Sequence, residues 1–164
     1  RTTGTSIAVS SVSDYVRYAV DACMIFSLEN YASKFVEKET VKKHYFVDNG
    51  LLSIFLLDGN TALLENLCAI HLHKKYGDKL YFYNKNIEVD FLIVDEGYAV
   101  QVSYSIYGDG KQETFDRETK ALVQLDKYLS LNRMIIVTYD EDGVVTLDNG
   151  KQIEVIPVWK WLLE

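Results

Sequence analysis

No run of about 18 apolar residues occurs in the 164-residue chain, so no segment is expected to span a membrane. No basic-plus-apolar leader opens it, and the expected compartment is the cytoplasm. Cysteine is sparse: Cys23 and Cys68 lack CxxC or Cys/His spacing, which argues against a disulfide or metal pair and for buried free thiols. His71 and His73 stand two apart, a spacing that puts them on different sides of a helix and not together on a metal. There is no GxxxxGK[ST] run. Gly108-Asp109-Gly110-Lys111 has neither the spacing nor the hydroxyl residue, so the chain is not expected to bind ATP by itself. Repeats and low-complexity tracts are also missing.

Positive charge is in short supply. There are 17 Lys and Arg against 24 Asp and Glu, a net charge of −7. Residues 1–60 account for −1 of it and residues 61–164 for −6. Phosphate backbones need positive charge opposite them, so the acidic part should bind DNA poorly without a metal ion or a basic patch. What is present is an ordinary globular mix, 48% hydrophobic and 25% charged, enough to bury a core. The abrupt start RTTGTSIAVSS leads us to expect a piece of something longer.

The first part of the chain reads as an amphipathic helix, Ser11 to Met24, with Val12, Tyr15, Val16, Ala19, Val20 and Cys23 at three- and four-residue steps. Two short strands follow, Ile25 to Leu28 and His44 to Val47. Between them runs a polar stretch carrying Lys34, Lys38, Lys42 and Lys43. Helix, strand, basic loop and returning strand suit the tail of a winged helix, with the lysines as DNA contacts; a small structural lobe with a solvated loop suits the same pattern, because Glu37 and Glu39 dilute the charge. Leu51 to Leu57 reads as a short buried helix, and Gly59-Asn60 as the boundary between a partial winged-helix-like lobe (1–60) and a second domain (61–164).

That second domain opens on a helix, Thr61 to Tyr76, ended by Lys74, Lys75 and Gly77. Three strands are expected at Leu80–Tyr83, Ile87–Val94 and Tyr98–Tyr104, with Asp95-Glu96-Gly97 turning the last two. A helix over Phe115–Leu131 precedes an apolar strand, Met134–Tyr139, of the kind buried on both faces. A hairpin with a two-residue Asn149-Gly150 turn and a final helix carrying Trp159 and Trp161 complete the chain. The fold class is α/β, a mixed sheet with flanking helices.

The chemistry-bearing stretch is Ile87 to Ser105, IEVDFLIVDEGYAVQVSYS. Residues two apart on a strand share a face, so Glu88 pairs with Asp90, and Gln101 with Ser103 and Ser105. Across the hairpin, one face should collect Asp90, Gln101 and Ser103, with Glu65 approaching from the preceding helix. Two-ion phosphodiester hydrolysis needs carboxylates able to share hard cations. Glu65 reads equally as the helix acid of such a site or as a carboxylate serving the helix dipole.

HYFVDNGLL, LLENL, IEVDFLIV, AVQVSYS, the ETFDRETKAL helix and IPVWKWLL, in this order, resemble the carboxy-terminal part of predicted ATPases of the AAA+ type. That part carries an uncharacterised restriction-endonuclease-like domain related to the PD-(D/E)xK nucleases, with a winged helix before it. The resemblance covers nearly the whole chain. It implies Glu65 as the helix acid and Asp90 as the strand aspartate. Gln101 stands where the second strand acid usually is, and Ser103 where the lysine is. An amide gives a weaker ligand for a hard cation, and serine carries no positive charge. Lys85 and Lys120 are the nearby cations that could take the lysine's place.

The resemblance therefore implies a targeting or assembly domain, nucleic-acid-directed, with a degenerate nuclease-like site. Its partners would be the ATPase portion of the same protein, DNA, or another copy in a homo-oligomer. ATP would belong to the ATPase portion and no cofactor to this chain. The alternatives are an active nuclease, with Mg²⁺ or Mn²⁺ on Asp90, Glu65 and Gln101, and a protein-interaction module without nucleic acid, which the acidic surface and twelve tyrosines favour.

Overall fold

Apolar alternation and turn residues place eight strands among the residues that the computed structural model describes, 9–33, 41–56 and 59–164. The strands are β1 (Ile25–Asn30), β2 (Lys42–Phe46), β3 (Tyr81–Asn84), β4 (Glu88–Ile93), β5 (Tyr98–Val102), β6 (Arg133–Thr138), β7 (Gly143–Thr146) and β8 (Gln152–Pro157). The helices are α1 (Val9–Asp21), α2 (Asn49–Phe55), α3 (Asn60–Tyr76), α4 (Gln112–Leu129) and the one-turn α5 (Val158–Trp161). All eight strands form one sheet in the order β2-β1-β3-β4-β5-β6-β8-β7. The pairs β1/β3, β5/β6 and β6/β8 are parallel and the others antiparallel. The fold is α/β, a mixed sheet flanked by helices.

Helices cover both faces, which explains the unbroken apolar run of β6. On one face Leu64, Cys68, Ala69 and Leu72 of α3 pack with Phe91, Val100, Ile135, Val137 and Trp161. On the other, Ala121, Leu122 and Leu125 of α4 pack with Val89, Leu92, Ala99, Met134 and Ile136. The β4–β5 turn closes on Gly97 at φ 60°, where a Cβ would lie 2.9 Å from the Asn132 side chain. Its carbonyl accepts from the Asn132 N–H at 2.7 Å and so fixes the start of β6. No helix among the described residues is long and apolar enough to cross a membrane.

Several expectations change. The boundary placed near residue 60 does not interrupt the sheet: β1 and β2 come before it and pair onto β3, which comes after it. Lys42 and Lys43, expected in a basic loop, lie in strand β2, because their alternation with buried Tyr45 fits an edge strand. Lys34 and Lys38 lie outside the described residues. Helix α2 is not buried: Ile54 and Phe55 are exposed, since only one side of the helix meets α3 and β2. Cys23 is exposed and Cys68 buried, both as free thiols. The β7–β8 turn has three residues, not two. Leu147 and Lys151 still bond across it, and Gly150 takes the left-handed position at φ 81°.

Candidate functional site

Asp90 is the pivot of a cleft of about 680 Å³ at the end of the sheet, between Thr61 and Glu65 of α3 and residues 116–124 of α4. A bulge sets its position. The β3–β4 register slips between Tyr81 and Tyr83, so one residue of β3 faces two of β4. Val89 accordingly packs on the α4 side and Phe91, two residues on, on the α3 side. Strict alternation would have sent Asp90 to the same face as Gln101, its cross-strand neighbour. Instead, Asp90 Oδ2 accepts the Val102 N–H at 3.0 Å and Oδ1 faces Lys43.

Lys43 is the residue that sequence reasoning missed here. It shares a strand face with Tyr45, whose hydroxyl donates to Glu65 Oε1 at 2.7 Å. The Lys43 chain crosses the Phe82 ring, with Nζ 5.7 Å from its centroid. Its ammonium then lies 2.7 Å from Glu88 Oε1, 3.1 Å from Asp90 Oδ1 and 3.6 Å from Glu65 Oε1. In sheet order β1 and β3 separate β2 from β4, a flat distance of about 14 Å, so the sheet must curl to bring these side chains together. The spacing of Lys43 and Tyr45 was the only signal in the sequence. Lys85 and Lys120, the cations expected to approach, are both solvent-exposed, and Lys120 lines the cleft.

Gln101 is 3% exposed and closes the gap where β4 and β5 part. Its Oε1 accepts the Asp90 N–H at 2.8 Å, and its Nε2 donates to the Glu88 carbonyl at 3.1 Å and to Glu118 Oε2 at 2.7 Å. Glu118, buried on α4, is held on its other oxygen by Arg117 at 2.5 Å. Gln101 thus serves strand backbone and a buried carboxylate. Ser103, also buried, donates to the Ser105 carbonyl at 3.3 Å and does not line the cleft. Lys42 is half-buried on β2. His71 lies tilted against Trp161 and His73 stacks on Phe26, so both rings serve packing.

The charges in the cleft are strongly linked. Burial, and next the Glu65 carboxylate, push the Asp90 carboxyl up to about 7 against the pull of Lys43 and the Val102 N–H. Burial works against the Lys43 ammonium, but Asp90, Glu88 and Glu65 outweigh it and hold the group above its ordinary range. A carboxyl whose folded pKa is raised binds more protons in the folded state between about pH 4 and pH 7, so folding stability falls as pH rises through that window. We expect Asp90→Asn to flatten this slope, by about 1.4 kcal/mol for each unit of the raised pKa. Urea midpoints of both proteins from pH 4 to pH 8 would check it; parallel curves would contradict it.

A divalent cation, which the resemblance implies for Glu65, Asp90 and Gln101, does not fit these residues. The Lys43 ammonium stands among the carboxylates that would bind it, and Gln101 already spends its carbonyl oxygen on the Asp90 N–H. Among the described residues no group of three or more His, Cys, Asp or Glu side chains is arranged to hold a metal ion.

Over 97% of its length the chain is 32% identical to the uncharacterised protein MJ1544 of Methanocaldococcus jannaschii. It spans about 37% of the length of that protein. No family model matches the chain, and no solved structure matches it.

Proposed function

We propose that this chain is a non-catalytic assembly or targeting domain of a larger ATPase, built on a restriction-endonuclease-like scaffold with a degenerate site. The observation that carries the non-catalytic reading is the Lys43 ammonium, seated 2.7–3.6 Å from Glu88, Asp90 and Glu65. A cleaving site of this kind needs hard cations on its carboxylates and a free positive group near the attacked phosphate. Here one lysine is bound up with all three carboxylates, and the amide of Gln101 is spent on backbone and Glu118.

The scaffold reading rests on order and pairing. Helix α3 leads into the antiparallel β3–β4–β5 meander, and α4 crosses to β6 parallel to β5. That sequence of elements suits the nuclease-like resemblance. The assembly role draws support from α1 and α2, which join the β1–β2 hairpin at the same end, where the Val47 N–H donates to the Met24 carbonyl. Tyr15 and Tyr18 on α1 and Ile54 and Phe55 on α2 are all more than half exposed. Uncovered aromatic and aliphatic groups of this kind favour an association surface. Nucleic-acid direction, through a winged-helix lobe, would rest on Lys34, Lys38 and Lys42, since Lys43 is engaged in the cleft.

The nuclease reading keeps one observation in its favour, the convergence of three cleft carboxylates, Glu65, Glu88 and Asp90, on one lysine. Incubation of supercoiled and single-stranded DNA with Mg²⁺ or Mn²⁺, beside Asp90→Ala, separates the two. We expect no cutting above background from either protein. Metal-dependent cutting abolished by Asp90→Ala would replace the assembly reading with the nuclease.

A further inference from the structure

We propose that Lys43 is a tethered cation: its ammonium takes the place of a divalent ion in the Glu65–Glu88–Asp90 cluster and closes that cluster to metal. The inference deepens the degenerate-site reading above and rests on it. The cluster already holds a cation, one supplied by the chain itself. Three carboxylates from α3 and β4 converge on it, at 3.6, 2.7 and 3.1 Å. These are ammonium-to-oxygen distances, longer than the 2.0–2.6 Å of magnesium or calcium to oxygen.

Two further features suit a fixed occupant. The lysine comes from β2, with two strands between it and the β4 that carries Asp90, so its approach is built into the curl of the sheet and not into local sequence. Two of the carboxylates are themselves oriented, Glu65 by the Tyr45 hydroxyl at 2.7 Å and Asp90 by the Val102 N–H at 3.0 Å. Removing only the ammonium should leave oriented acids facing a gap. As they stand the acids are not arranged around a metal ion, but without the ammonium they can draw in around a hard cation from solution, because like charges in a partly buried cluster need a counter-charge.

The test measures thermal unfolding of the whole chain with EDTA and with millimolar Mg²⁺, Mn²⁺ or Ca²⁺. Wild type, Lys43→Ala and Lys43→Ala/Asp90→Asn are compared; Lys43→Gln, which keeps a donor for Glu88, replaces the alanine variant if that does not fold. Wild type should shift by under about 1 °C. Lys43→Ala should start lower and gain roughly 5–10 °C when the cation stands a hundredfold above its Kd. The double variant should lose that gain. Titration of Mn²⁺ by calorimetry should give one site in Lys43→Ala and none in wild type.

A cation response of equal size in wild type would overturn the proposal, as would no response in the lysine variant or a response that survives loss of Asp90. DNA cutting by wild type with metal would instead bring down the non-catalytic reading itself. A silent wild type with an unresponsive lysine variant would remove the tethered cation and leave that reading standing.

Discussion

Gln101→Glu, which restores the acid that the nuclease-like pattern carries at this position, should destabilise the protein by on the order of 3 kcal/mol. Its reach is the reason. The Nε2 that the substitution removes donates to Glu118 Oε2 at 2.7 Å and to the Glu88 carbonyl at 3.1 Å. A carboxylate oxygen there would face another carboxylate and a carbonyl with no proton between them. Glu118 is buried and keeps only Arg117, whose side chain is 71% exposed. The variant must protonate, expel Glu118 or open the β4–β5 gap. Urea unfolding at pH 8 gives the size of the loss. A variant as stable as wild type would mean that the gap accommodates an acid, and the degenerate-site reading would lose its structural support. A companion change, Glu118→Gln, should return much of the stability, because the second amide can donate to the new carboxylate.

Lys43→Ala, in EDTA, is expected to cost about 2 kcal/mol. The figure is below that for a fully buried pair because Glu88 is 53% exposed and water screens its share. Asp90, 15% exposed, carries most of the effect. Losing the ammonium also removes the pull that opposes burial at Asp90, so its carboxyl should hold its proton to higher pH. The loss should therefore be larger at pH 8 than at pH 5. Equal losses at the two pH values would show that Lys43 acts through its packing on Phe82 and not through its charge.

The fold class could be read from the chain because it depends on period and punctuation. The unbroken apolar Met134–Val137 run of β6, the stripe of α4 and the Gly77 and Gly97 stops are local signals, and each element formed within a few residues of its expected place. Asp90, Gln101 and Glu65 could also be singled out, as polar groups at odds with apolar neighbours. Their partners could not. Strict alternation put Asp90 on the face of Gln101, and a bulge, which depends on how β3 fits β4, turned it toward α3.

Buried amides were equally illegible. Asn30 bonds both backbone groups of Asn84, and Asn66 both backbone groups of Phe46; Gln101 does the same service between Glu88 and Asp90. A lone amide in a sequence carries no mark of which strand end it will complete. Lys43 is the extreme case, a lysine beside another lysine that reads as solvated charge. Local sequence read it as part of a basic loop; in the fold it lies on the edge strand β2, on the same face as buried Tyr45. Only the curl of the sheet, summed over β2, β1, β3 and β4, decided that its charge would meet Asp90 47 residues away. Periodicity reports which face a side chain takes; long-range ion pairs depend on strand order and curvature, which no window of sequence contains.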